Sequence, residues 1–177
     1  MRATGIVRRI DELGRVVIPK EIRRTQRIHS GDALEIFTDG KGEVVFKKYS
    51  PLAELGEPAA AYADVLARRL GCGVAVCDRE KIVAAAGAGR SELLGEPLPP
   101  EVDALLARRK LYTAPEEPLH RVALGSRWLL CAAPVLVHGD IEGGVLLPGM
   151  RRDAVPDPET IRAAATAAEF LARWMGE

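Results

Sequence analysis

The side chains with the most chemistry to offer form a cationic cluster near the start of the sequence. If Pro19 opens a helix, then at 100° per residue Lys20, Arg23, Arg24 and Arg27 fall at i, i+3, i+4 and i+7 on one face, with Ile22 on the opposite side. Arg8 and Arg9 precede them in a β-branched run, and Arg15 stands beside a turn. Guanidinium groups match phosphate oxygens and the O6/N7 edge of guanine, and each phosphate neutralised releases a counterion. Arg8, Arg9, Arg15, Lys20, Arg23 and Arg24 are therefore the candidate contacts to double-stranded DNA. A solvated helix face would also be basic, but the charge of the chain is lopsided. The protein is neutral overall, yet residues 1–50 hold 11 Lys and Arg against 7 Asp and Glu, and residues 51–177 hold 14 against 18.

No second group of residues makes a reactive set. His29, His120 and His138 stand apart from other ligand types, and Cys72 and Cys77 supply two thiols where a structural zinc site wants four ligands. Glu116-Glu117 and the pair Asp153/Asp157, all close to prolines, read as loop solvation and helix capping. Gly87-Ala-Gly89-Arg90 lacks the spacing of a phosphate loop and reads as a turn. No catalytic set, metal or cofactor is expected, and no ligand-binding residues are assigned. The three cysteines read as reduced core residues.

The elements that must position the cations follow from the pattern around them. Thr4–Ile10 and Gly14–Ile18 are β-branched runs across the turn-prone Asp11-Glu-Leu-Gly14; Ala33–Thr38 and Glu43–Lys48 flank Asp39-Gly-Lys-Gly42. This predicts two strands, a short helix from Pro19, and two more strands, with no internal repeat. Ser50-Pro51 then introduces an Ala- and Leu-rich helical stretch to Leu70, in which Pro58 must begin or kink a helix. Strands are predicted at Val74–Cys77, Ile82–Ala86, Leu119–Leu124, Trp128–Val137 and Ile141–Leu147, with helices at Glu101–Arg109 and from Asp157-Pro158 to about Met175. The domains read as residues 1–50 (mostly β, DNA-binding), 51–70 (a linker helix) and 71–177 (α+β with flanking helices).

So small a first domain buries too little apolar surface to offset its chain entropy, and without cysteines or metal ligands its remaining staple is a second copy of itself. A further assembly seam is expected on the last helix, where Ile161, Ala164, Ala168, Leu171 and Met175 alternate by three and four. Leu66 continues that rhythm from the linker helix. The second stripe, Ala163, Ala167, Phe170 and Trp174, is then left for the domain's own sheet. Paired helices would join two dimers into a tetramer.

The runs Thr4-Gly-Ile-Val-Arg-Arg-Ile10, Asp11-Glu-Leu-Gly-Arg-Val-Val-Ile-Pro19, Lys20-Glu-Ile-Arg-Arg-Thr25, Gly31-Asp-Ala-Leu-Glu-Ile-Phe37 and Val45-Phe-Lys-Lys-Tyr49 resemble the AbrB family of transition-state regulators. Lys48-Tyr-Ser-Pro51, Tyr62-Ala-Asp64, Cys77-Asp-Arg79 and Phe170-Leu-Ala-Arg173 are similar to the members of that family that carry a C-terminal GAF-like sensor domain. The resemblance implies a swapped-hairpin dimer, with DNA-contacting arginines at Arg8, Arg15, Arg23 and Arg24. It also implies a cytoplasmic, nucleoid-associated regulator of sporulation or transition-state genes, acting as activator or repressor. The GAF-like domain would sense an unknown small-molecule effector, set assembly, or do both. An AbrB-type antitoxin repressing its own operon is the alternative, but its tail should be a short, flexible toxin-binding segment. An enzyme with a DNA-binding appendage would need a nucleophile, base and orienter that the sequence does not offer. The longest uncharged run, Trp128–Gly139, is shorter than the roughly 18 residues a membrane span needs. Charges throughout the first fifteen residues argue against an export signal.

Overall fold

The computed structural model describes residues 4–26, 28–115 and 121–176, so Arg27, Glu116, Glu117 and His120 lie outside the described residues. The chain divides between Tyr49 and Ser50 into two compact units.

In the first unit, α1 (Lys20–Thr25) follows Pro19, whose fixed φ of −58° suits a helix start. Strands β1 (Leu34–Thr38) and β2 (Val44–Lys48) pair antiparallel, with Ile36 opposite Phe46 and Phe37 opposite Val45. Their turn is built by Asp39, whose Oδ1 accepts the amides of Lys41 (3.0 Å) and Glu43 (2.7 Å), while Gly42 takes the left-handed conformation. The strands predicted over Thr4–Ile10 and Gly14–Ile18 form no ladder in the single chain. An extended segment needs another strand to take up its amides and carbonyls, and none lies beside these two within the single chain. Val7, Ile10, Leu13 and Val17 are between 69 and 83% exposed, and Pro19 alone among the described residues of this unit is buried. A lone two-stranded hairpin is marginal in water, and this one leaves Ile36, Val44 and Phe46 exposed as well.

The second unit is a six-stranded antiparallel sheet between helical layers. Strands β3 (Val74–Cys77), β4 (Ile82–Ala86), β5 (Tyr112–Thr113), β7 (Arg127–Val137) and β8 (Asp140–Gly149) take the order β4-β3-β8-β7-β5, and β6 (Ala123–Leu124) pairs with β7. Period-two alternation splits the core. Val74, Val76, Ala84, Ala133, Val135, Val145 and Leu147 meet α2 (Pro51–Glu54), α3 (Gly56–Leu70) and α6 (Pro158–Gly176) on one face. Ala75, Cys77, Ala85, Ala132 and Leu146 meet α4 (Arg90–Leu93) and α5 (Pro100–Leu106) on the other. Pro58 sits in the first turn of α3, where no intrahelical N–H is needed, and the break from α2 falls at Leu55. Leu52 and Ala59 are fully buried in this unit's core. Asp157 caps α6 by accepting the Thr160 amide at 2.8 Å. Gly143 has no room for a side chain, since a Cβ there would meet the Cys77 carbonyl oxygen at 2.0 Å. The stretch read as a turn, Gly87–Arg90, turns at residues 87–89, and the short α4 begins at its last residue.

Candidate nucleic-acid interface

The cationic face of α1 is open to solvent. Lys20, Arg23 and Arg24 are all exposed, Ile22 is half-buried on the other side, and no residue of the helix is fully buried. Arg8, Arg9 and Arg15 are exposed as well. Arg15 is also oriented. Asp11 Oδ2 accepts from Arg15 Nε at 2.8 Å, and Asp11 Oδ1 accepts the amides of Leu13 (3.0 Å) and Arg15 (2.8 Å). The Asp11 amide donates to the Arg15 carbonyl at 3.1 Å, and Gly14, at φ 75°, donates to the Asp11 carbonyl. The Arg15 amide and guanidinium together hold the Asp11 carboxyl below its ordinary range. With Nε engaged by Asp11, the Arg15 side chain is still 70% exposed on the turn.

Composition and periodicity missed Asp11, although Asp-x-x-Gly-Arg carries a signal. The same Asp-x-x-Gly pattern at Asp39 makes the same two side-chain acceptances, so one turn chemistry closes both hairpin-like segments.

Most residues of the expected assembly seam lie in the core of the second unit. Leu66, Ala168 and Leu171 are between 1 and 9% exposed, in the core that joins α3 and α6 to the sheet. Met175 packs at the edge of that cluster and Ile161 is half-buried. The other stripe is split: Ala167 is fully buried and Ala163 packs on the core, whereas Phe170 is 37% and Trp174 52% exposed, and Phe170 stacks on Tyr62 with centroids 4.7 Å apart. The buried side of α6 is lined by Leu171 and by Ala164, Ala167 and Ala168, small residues that let its backbone approach the sheet.

Among the described residues, no cluster of three His, Cys, Asp or Glu could hold a metal ion, and no helix is long and apolar enough to cross a membrane. The three cysteines are free. Burial pushes the Cys131 thiol up to about 12 and raises Cys77 further, the opposite of what a nucleophilic thiol requires.

Comparison with known proteins places this geometry. The family described as "Stage V sporulation protein T C-terminal, transcription factor" matches residues 54–176, and "Antidote-toxin recognition MazE, bacterial antitoxin" matches residues 7–53. The chain is 41% identical to stage V sporulation protein T of Bacillus subtilis (strain 168), over 99% of both chains. It is 59% identical over 51 residues to transition state regulatory protein AbrB of the same organism, covering 29% of this chain and 52% of that one. The solution structure of AbrB's N-terminal DNA recognition domain is matched over 29% of this chain and 94% of that one, with a TM-score of 0.24. A type II free methionine-R-sulfoxide reductase from Thermoplasma acidophilum is 14% identical over 68% of this chain and 94% of its own, with a TM-score of 0.52, a likeness of fold alone.

Proposed function

The chain belongs to the stage V sporulation protein T family of transcription factors, and we propose that its first unit grips DNA as a dimer through Arg8, Arg9, Arg15, Lys20, Arg23 and Arg24. One observation carries the reading. A unit whose apolar strands are unpartnered in the single chain also presents every one of those six cations to solvent. A second copy would cover the apolar side chains by pairing Thr4–Ile10 and Gly14–Ile18 into a common sheet. The same twofold axis would present two copies of α1 and of the Arg15 turn to a pseudo-symmetric DNA site.

The protein is thus a sequence-preferring regulator of sporulation or transition-state genes, acting without enzymatic chemistry. The antitoxin description matches residues 7–53 alone, and the chain beyond them builds a folded core instead of a short tail. The α+β unit, GAF-like in its layered antiparallel sheet, serves small-molecule sensing. Any assembly beyond the dimer uses the outward stripe of Tyr62, Phe170 and Trp174, because Leu171 and its neighbours are occupied within the chain. The test is fluorescence anisotropy of the full chain on duplexes selected from a random pool. Wild type should prefer the selected sequence over a scrambled one, and Arg15→Ala should bind both weakly. Equal affinity for both duplexes in wild type would contradict sequence preference, and undiminished binding by Arg15→Ala would remove that residue from the interface.

A further inference from the structure

In the second unit the structure buries a cation that nothing in the DNA-binding reading uses. Arg121 lies just before β6 and is 7% exposed. Its Nη1 donates to the carbonyl of Ala154, but Nε and Nη2 are shut off from solvent, and among the described residues no acceptor reaches either of them. A buried guanidinium normally satisfies its donors or pairs with a carboxylate, because an unpaired buried charge is strongly destabilising. Asp153 lies close enough to feel the charge of Arg121, yet its carboxylate is held by Arg151.

The pattern of occupied and free nitrogens carries the chemistry. Nε–H and Nη2–H lie side by side on one edge of the guanidinium plane, the fork that receives both oxygens of a carboxylate. The third nitrogen anchors the group to the backbone and so fixes where the fork points. A second polar atom lies nearby: the hydroxyl of Tyr112, on β5, is shut off from solvent, lies within the field of Arg121 and has the Val122 backbone beside it. The surroundings are apolar. Tyr112 and Val122 pack against the cluster that includes Leu124, Ala132 and Leu146.

We propose that the Arg121 fork and the Tyr112 hydroxyl form a binding site for a small organic monocarboxylate with an apolar tail. The carboxylate takes the fork, the hydroxyl donates to one of its oxygens, and the tail lies toward the apolar cluster. One free guanidinium fork matches a monoanion and disfavours phosphate, whose second charge would be buried without compensation. This deepens the sensing role given above to the α+β unit. Binding is read without DNA, so failure here leaves the DNA-binding reading standing, and the converse holds too.

The experiment is thermal unfolding of the full chain with acetate, isovalerate and phenylacetate, alongside isovaleramide and inorganic phosphate. At least one carboxylate should raise the melting temperature by about 5 °C at a hundredfold excess over its dissociation constant, with no comparable shift from the amide or from phosphate. Arg121→Met keeps the stem and removes the orphaned charge. It should melt at the wild-type temperature or above and lose the response. Tyr112→Phe should keep the response with a dissociation constant about five- to tenfold weaker. The proposal is overturned if no carboxylate shifts the wild type, or if the amide or phosphate shifts it equally. It is equally overturned if Arg121→Met retains the response, or if Arg121→Met melts well below wild type, which would make the guanidinium a structural group.

Discussion

Arg23→Ala isolates the electrostatic part of DNA binding. Arg23 is exposed on α1, a helix without a fully buried residue, and its own carbonyl and that of Ile22 accept the Ile28 and Gln26 amides through backbone alone. Alanine has the highest helix propensity, so the variant keeps the helix and loses only the cation. In a twofold dimer the change removes two charges from the interface. If both meet phosphates, the slope of log K against log[salt] flattens by about 1.8, since each phosphate contact on B-DNA contributes about 0.9. Raising salt fourfold spans about 0.6 logarithmic units. The gap between wild type and variant should therefore narrow about tenfold over that range. Anisotropy titrations of both proteins on one duplex at four salt concentrations measure this directly. Weaker binding with an unchanged slope would move Arg23 from phosphate to a base edge. Identical affinity and identical slope would refute the reasoning, because a cation at a DNA interface cannot be removed without either effect.

Three further outcomes are expected. Leu171→Ala should destabilise the second unit by about 2–5 kcal/mol, because its side chain is 1% exposed in the core, whereas Trp174→Ala should leave denaturant midpoints near wild type. The carboxyl of Asp11 is depressed by its bonds from Arg15, so its support for the turn is complete above the ordinary value of 3.8 and lost as pH falls through the lower folded value. DNA affinity between pH 8 and pH 6 (both about two units or more above that value) should accordingly show no contribution from Asp11 titration, while Asp11→Ala weakens binding at every pH. With its thiol pushed up to about 12, Cys131 should resist an aromatic disulfide reagent at neutral pH and react on unfolding, as counted by released chromophore.

Much of the second unit was legible in the sequence because its strands are buried on both faces. Val74–Cys77 is buried at every position, and continuous apolar runs of that kind stand out between turns. Tyr112–Thr113 was not legible, since two residues carry no period, and α4, a single turn of four residues after Gly89, was too short to show one. The two stripes of α6 show a limit of periodicity: both are apolar at helical spacing, and the buried face takes Ala164, Ala168 and Leu171 from one and Ala167 from the other. In the first unit the β-branched runs were visible, but strand formation there depends on amides and carbonyls that a single chain does not supply. The basic face of α1 could be read from spacing alone. The anchoring of Arg15 by Asp11, and the orphaned edge of Arg121, depend on three-dimensional neighbours and left no pattern that composition or period would reveal.

The central claim is that the first unit meets DNA as a dimer, and native mass spectrometry of the full chain on a selected duplex tests it most directly. The account predicts complexes holding only even numbers of chains per duplex, with the free chain also even-numbered at the same concentration. A single chain bound to the duplex with full affinity would contradict it.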